Sequence, residues 1–528
     1  MIMNRIQQIV TAVKGDIDIS LLKFSLLLTL SIGFITYSFG YYNLGFSHDS
    51  LVPWLRGFCI GQLSIGRPFT SFIYSIFEYY NNKVIMGLIS LCFIAFSVYI
   101  TVRIFSKLYN FDEKAKKYLS TAVTLLYLFN ITFISLNATF SFQICCDSLA
   151  LLCAVSAVYV VCNNANLLKF CVSVILCILS IGLYQSYVNV FLSLFVIVLI
   201  IKLANGCKAV TVIKIGIVFF LIALIATILY LCIWKMLMNA HQLNIPDDYN
   251  SLSKVNYSSI EELSFYIKNA IINLKNSLLE VNSFNLIKVR NFNILCLIIL
   301  LLGAVKAVLL AKGFLGKILT AILCILFVLC LNIANIASKD VFHQLMIFSF
   351  CLINVVAFVI LLKSKNKIFI NIFMIWLAVI SFHCCNFYNT ISMMKVIELD
   401  STYAHFSRII QRIESIENFD SNKDTVVMEP LIKSEYFNKT NGSCFNGYKF
   451  LNGLGANTAG TYNTAMFASY FSLGLNTVTL KDQSDIYSLK LTTDQINMIN
   501  SMEPYPAKSS VKRIGNYIFV KTSTDKYF

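Results

Sequence analysis

The chain has 528 residues, 58% of them hydrophobic and 13% charged, with a mean hydropathy of +0.73. Soluble domains carry about 25% charged residues, so this composition excludes an ordinary water-soluble globule. The net charge of +16 does not indicate nucleic-acid binding, because Lys and Arg cluster at the ends of apolar runs, where they act as orientation signals, and no basic stripe is interleaved with aromatics.

A helical membrane crossing needs about 20 apolar residues. Eleven segments are predicted to supply one: 21–42, 84–105, 118–137, 146–162, 167–183, 186–203, 213–234, 292–311, 318–336, 343–362 and 368–384. The pair 167–183 and 186–203 is one apolar stretch split only by Tyr184-Gln185. The polar residues before the first segment lack a small-residue cleavage site, so that segment is expected to stay as a helix and not to leave as a signal peptide. Within the long connector 235–291 an interfacial helix is expected near 260–280.

With the N-terminus placed in the cytoplasm, the inside connectors hold fifteen Lys and Arg, among them Lys114, Lys116, Lys117, Lys208 and Lys365. The outside connectors hold about ten in nearly twice the length. An odd number of crossings then sends the C-terminal part outside, which in a bacterium is the periplasm. From residue 385 onward charges, Gly, Asn, Ser and Thr become frequent. Residues 401–417 have the spacing of an amphipathic helix, and Thr425–Met428 and Tyr517–Lys521 read as strands. The expected fold is an all-α polytopic membrane protein of about eleven transmembrane helices, residues 1–384 with outside loops 43–83 and 235–291, followed by a small α+β domain over 385–528.

Seventeen cysteines do not form a disulfide framework, since most lie in apolar runs as small packing residues. No CxxC pair suggests a zinc site. Cys444 in the tail has two readings, a bridge to Cys384 or Cys385 and a free thiol. The chain contains no P-loop, dinucleotide fingerprint, HExxH or GxSxG.

Chemistry must therefore be sought on the few ionisable residues near the ends of crossings, where a charge is not buried in lipid. The loop 43–83 carries His48, Asp49, Arg67 and Glu78. Asp49 is either a general base near the membrane surface or the cap of a helix starting near Ser50. Arg67, in Gly66-Arg67-Pro68, is either a planar fork for a phosphate or the partner of Asp49. Asp147, after Cys145-Cys146, is a functional acid at the edge of a crossing or a charge favoured by a helix dipole. Tyr184 and Gln185 can hydrogen-bond a sugar, or serve as an interfacial belt. Lys339, Asp340 and His343 form a phosphate-binding cluster or a surface pair worth little. Asp400, His405 and Arg408 are expected to cap and solvate the tail's first helix, with recognition of an acceptor sugar as the second reading, and Tyr462, Phe467, Tyr470 and Phe471 to build the core of the tail domain, with stacking on sugars as the second reading.

The order of these features resembles the glucosyl transferase II family, the serotype-converting O-antigen glucosyltransferases. The residues that carry the resemblance are His48-Asp49, Gly66-Arg67-Pro68 leading into Phe72–Phe77, Gln143-Ile144-Cys145-Cys146-Asp147-Ser148-Leu149, Gly182-Leu183-Tyr184-Gln185-Ser186, and the Asp400 helix with Ala404 and Arg408-Ile409-Ile410. They cover about 50–410. The resemblance implies a GT-C type membrane glycosyltransferase of the bacterial inner membrane. Such an enzyme takes glucose from undecaprenyl-phosphate glucose and adds it to O-antigen repeat units of lipopolysaccharide on the periplasmic side. Asp49 would be the catalytic base. Arg67 and Lys339 would meet the donor phosphate, with His48, Glu78, Asp147, Tyr184, Gln185 and His343 at the substrate. Direct displacement would invert a β donor to an α product. His48 stands where family members often carry a second acid, which weakens the case for a bound divalent metal. No metal and no other cofactor is expected. Implied functional partners are a small flippase and a polyprenyl-phosphate glucosyltransferase.

The alternatives are an O-antigen polymerase or ligase, and a lipid-linked oligosaccharide flippase or transporter. A polymerase usually has its large loop mid-chain and no folded tail. A transporter should bury ionisable groups near the midplane or repeat its halves. Here Lys306 is the main charge within a crossing, and its stem can snorkel.

Overall fold

The computed structural model describes residues 17–43, 61–76, 82–163, 165–244, 259–281, 286–338, 343–429, 475–480, 486 and 488–524. Its helices are α1 (Ile19–Tyr42), α2 (Pro68–Ile76), α3 (Lys83–Tyr109), α4 (Glu113–Leu128), α5 (Ile131–Ala138), α6 (Ile144–Val161), α7 (Leu167–Leu183) and α8 (Val188–Ala204). Then come α9 (Ala209–Ala240), α10 (Ile260–Leu279), α11 (Ile287–Leu310), α12 (Gly313–Cys330), α13 (Ile333–Ser338), α14 (Cys351–Ser364) and α15 (Lys367–Glu414).

Each of the eleven apolar segments carries helix. Among the described residues eight helices have the length and composition of a crossing, or nine if the bent pair α4 and α5 is one span. The remaining segments, α7 and the stretch Phe348–Ser364, are apolar but shorter. The 47° bend between α4 and α5 sits at Asn130. Its side-chain oxygen accepts from the Thr132 N–H at 2.7 Å, and its amide donates to Phe348 O at 3.4 Å. The side chain thus replaces helical backbone bonds and holds the break open.

In a lipid setting, helices are held together by close packing and interhelical hydrogen bonds. The hydroxyls of Ser25 and Thr29 on α1, one turn apart, meet Ser120 at 2.8 Å and Thr124 at 3.1 Å on α4. Ser173 and Ser180 on α7 donate to Ala157 O and Ala150 O on α6, both at 2.9 Å. The apolar windows of α6 and α8 are 72% buried and lie at the centre, whereas those of α9, α11 and α12 are 17–28% buried and turn Leu, Ile and Phe outward. Outward apolar faces on long helices are what a lipid-facing rim requires.

By contacts the chain divides into two compact units. The first is Met1–Ser38, Cys59–Asn137 and Gln143–Phe387; the second is Phe39–Phe58, Ala138–Phe142 and Tyr388–Phe528. The second unit holds a four-stranded sheet in the order β2-β1-β4-β3, with β1 (Thr425–Met428), β2 (Asn476–Thr479), β3 (Val511–Ile514) and β4 (Tyr517–Val520). β1 pairs in parallel with β2 and β4, and β3 pairs antiparallel with β4. Side chains alternate across a strand. Val426, Met428, Ile518 and Val520 therefore pack on Phe406, Ile409 and Ile413 of α15. Val427 and Phe519 face the other way, toward Ile499 of α16 (Thr493–Asn500).

The tail's first helix differs from expectation. No Gly or Pro occurs between Lys367 and Glu414, and α15 runs unbroken for 48 residues through the change of composition at 385. Asp400, His405 and Arg408 therefore lie within a helix and cap nothing. His405 is 1% exposed, and its ring meets Tyr505 edge-on at 4.8 Å. Tyr462, Phe467, Tyr470, Phe471 and Cys444 lie outside the described residues.

Arg513 on β3 grips Asp424 with both nitrogens, at 2.6 and 2.8 Å. This fork, together with the Asp420 N–H at 2.8 Å, holds the Asp424 carboxyl at about 2, below its ordinary 3.8. A carboxylate stabilised in the folded state contributes its full stability above the unfolded value and loses it as pH falls toward the folded one. Asp424→Asn is thus expected to lower the thermal midpoint of the detergent-solubilised protein at neutral pH. The gap to wild type should close between pH 3.8 and about 2. A gap that stays constant through that window rules out the pair as its source.

Candidate active site

Gly66, Arg67 and Pro68 form the sharp entry to α2. Gly66 has φ +85°, left-handed backbone that suits glycine, and Pro68 opens the helix where a missing N–H costs nothing. The Gly66 carbonyl accepts from Tyr230 Oη at 2.7 Å and from Gln185 Nε2 at 3.3 Å, and Gln185 Nε2 also donates to Tyr230 Oη at 2.7 Å. A Cβ on Gly66 would sit 2.0 Å from Gln185 Nε2, so a side chain there would displace the Gln185 amide from its bonds. Just before, Leu63 O accepts from Trp234 Nε1 at 2.7 Å. The α7–α8 turn and the C-terminal part of α9 thus clamp the backbone on the N-terminal side of Arg67.

The Arg67 side chain is half-buried. Its Nη1 donates to Gln143 Oε1 at 2.9 Å and Gln62 Oε1 at 3.0 Å, and its Cζ lies 4.6 Å from the centre of the Tyr184 ring. These three partners are neutral. They fix the plane of the guanidinium, and the stacking adds about 0.5–2 kcal/mol.

Gln143 precedes α6, and its carbonyl accepts from the Asp147 N–H at 3.1 Å. Asp147 therefore occupies the first turn of α6 and is 1% exposed. Its Oδ1 has no hydrogen-bond partner among the described residues. Arg67 acts on it electrostatically, and its own charge is felt at Tyr74 and Tyr187. A buried acid in a crossing is costly and is retained where it has a task.

His343 opens a 3₁₀ turn, Gln344–Met346, and its Nδ1 accepts from the Leu345 N–H at 3.2 Å. That turn packs against the Gln185–Tyr187 turn. Asn189, in the first turn of α8, donates to Met346 O at 3.2 Å and accepts from the Ala334 N–H at 2.8 Å. Tyr187 bridges Tyr184 and Phe348, with ring centres 6.0 and 5.8 Å apart.

Of the residues singled out from sequence, Arg67, Asp147, Tyr184, Gln185 and His343 thus gather at one end of the helices. His48, Asp49, Glu78 and Lys339 lie outside the described residues. Gln62, Gln143 and Tyr230 join the site without having been singled out for it. The one sequence signal for Gln143 is its place one helical turn before Asp147, on the same side of α6.

Apolar helices that collect a fixed cation, a buried acid and sugar-sized hydrogen-bonding groups at one end define a polytopic membrane protein with a polar site. The chain belongs to the glucosyl transferase GtrII family, whose model matches residues 38–343. It is accordingly a membrane glycosyltransferase of a family that acts in O-antigen modification. The match takes in Arg67, Asp147, Tyr184, Gln185 and His343 and leaves the Gln344–Met346 turn, α14, α15 and the sheet outside. No curated protein and no solved structure matches the chain.

Proposed function

We propose that this protein moves glucose, or another hexose, from undecaprenyl-phosphate-sugar to O-antigen repeat units of lipopolysaccharide at the periplasmic face of the bacterial inner membrane. The observation that carries the reading is Arg67, a guanidinium oriented by Gln62, Gln143 and Tyr184 at the end of the bundle that the Lys and Arg bias puts outside. Eleven crossings, a cytoplasmic N-terminus and a periplasmic domain over 385–528 belong to the same reading.

The acceptor hydroxyl attacks C1 of the donor sugar, and Asp49 takes its proton. The bond between C1 and the phosphate oxygen breaks, and its electron pair leaves on the phosphate. Arg67, with Lys339, stabilises that growing charge. Attack opposite the leaving group turns a β donor into an α product. Tyr184, Gln185 and His343, with His48 and Glu78, hydrogen-bond the sugars, and Asp147 holds the field around Arg67. The donor already carries its leaving group, so the chemistry calls for no cofactor. A small flippase and a polyprenyl-phosphate glucosyltransferase supply the donor.

Expression in a strain that makes undecaprenyl-phosphate glucose should add one hexose mass per repeat unit to the lipopolysaccharide, read by mass spectrometry. The added mass should vanish when donor synthesis is deleted. Unmodified lipopolysaccharide with donor and protein both present would overturn the proposal.

A further inference from the structure

The lysines at the end of the bundle far from Arg67 outnumber the acids there. Segments 202–214, 312–317 and 363–367 hold eight lysines and no Asp or Glu. Of the described acids near this end, Asp18 and Glu113 bind Lys116, and Asp112 caps α4. Three contacts bring those lysine-bearing turns to one place. Asn205 Nδ2 donates to Leu108 O at 2.9 Å, so the turn after α8 rests on the end of α3. Lys363, in the last turn of α14, holds its Nζ 4.9 Å from the centre of the Tyr109 ring. Lys312, just before α12, lies across Gly206, where an added Cβ would meet its Cε at 3.0 Å and its Nζ at 3.4 Å. Both lysines are exposed, and neither pairs with a carboxylate among the described residues.

Beneath these cations begins an apolar groove of about 490 Å³, within the range of ligand pockets, about 300–1,000 Å³. Tyr109, Ala204 and Ala307 line it at this end, being the last residue of α3, the last of α8 and part of the last turn of α11. Farther along, Leu301 and Ile325 line it and are each 66% exposed, on helices whose outer faces are apolar. The groove thus opens sideways to hydrocarbon. The Gln185–Tyr187 turn at the candidate site leads into α8, and Ala204 closes that helix, about 25 Å away.

We infer that this is a binding site for an anionic phospholipid, with one acyl chain in the groove and the headgroup phosphate between Lys312 and Lys363. A lysine at the bilayer surface attracts acidic lipid, and basic pockets between helices take acidic headgroups. The headgroup belongs at the surface and the chain below it, which is the order of cations and groove here. Distance from Arg67 makes this lipid an unreacted partner and not the sugar carrier. The site stands on these contacts, and its assignment to the cytoplasmic leaflet rests on the orientation in the proposed function.

The test is native mass spectrometry of the full chain in detergent, with phosphatidylglycerol and phosphatidylethanolamine of the same acyl chains as probes. Wild type should retain the anionic lipid about tenfold better or more. Lys312→Glu with Lys363→Glu should abolish that preference. The same change of charge at Lys114 and Lys169, on α4 and α7, should leave it intact. Ala304→Phe, which fills the groove, should lower retention of both lipids. The four lysine changes lie on helix ends and keep the test decisive should Ala304→Phe not fold. No preference in wild type, a preference that survives at Lys312 and Lys363, or an equal loss in the control pair overturns the inference. Displacement of the lipid by millimolar inorganic phosphate would make this a free-anion site and overturn it too. Retention is read without donor or acceptor, so a failure of hexose transfer in cells bears on the proposed function alone.

Discussion

Asparagine in place of Asp49 is expected to remove at least a hundredfold of hexose transfer while the amount of protein in the membrane stays normal. Asparagine keeps the shape of aspartate and its capping ability, so a residue that merely ended a helix would tolerate the change. It cannot take a proton. General-base catalysis contributes about 10²–10⁴-fold, and a sugar hydroxyl is too weak a nucleophile to do without it. The informative comparison is Asp147→Asn. Asp147 is the buried acid on which Arg67 acts, and as a positioning residue it should change the affinity for the phosphate-bearing donor more than the turnover of bound donor. Transfer by reconstituted protein, measured against donor concentration, separates the two. Full activity in Asp49→Asn with loss in Asp147→Asn would move the base to α6.

Much of the helical framework was legible because membrane-length apolar runs leave few choices. The hard division at Tyr184-Gln185 is where α7 ends at Leu183 and a 3₁₀ turn leads into α8. The helix over Ile260–Leu279 and the strands at Thr425 and Tyr517 also follow local pattern. Two features of the backbone escaped. Apolar composition hid the bend at Asn130, which depends on a side-chain bond to Phe348 O, 218 residues away. The change in composition at 385 suggested a break, but composition alone does not stop a helix that contains no Gly or Pro, and α15 continues into the second unit.

The site was legible as residue types and not as partnerships. Gly66-Arg67-Pro68 announced a turn carrying a cation, yet which neutral groups would help hold Arg67 depended on Gln143, 76 residues on, and Tyr184. Nothing local to Tyr230 marks it, and the place of Gln143 one turn before Asp147 does not say that it reaches Arg67, because each acts on a group brought near by packing. The reverse error is instructive too. His405 resembled a solvated helix-start residue because charged neighbours surround it in sequence, while the helix face it occupies is the one covered by Tyr505.

Arg67→Ala should lower kcat/KM for the lipid-linked donor by roughly 10²–10³-fold, the usual loss when a preorganised donor to developing charge is removed. The loss should fall mainly on kcat, because the leaving phosphate gains charge only as the C1–O bond breaks. Arg67→Lys should recover little of it. An ammonium keeps the charge and can still donate to Gln62 and Gln143, which both bond Nη1 alone, but it forfeits the planar stack on Tyr184 and the bidentate fit of a guanidinium to a phosphate. Orientation rather than charge is therefore what the site supplies, and the lysine variant separates the two. If it restored wild-type turnover, the arrangement of Gln62, Gln143 and Tyr184 around residue 67 would serve folding alone, and any nearby cation would do for the phosphate.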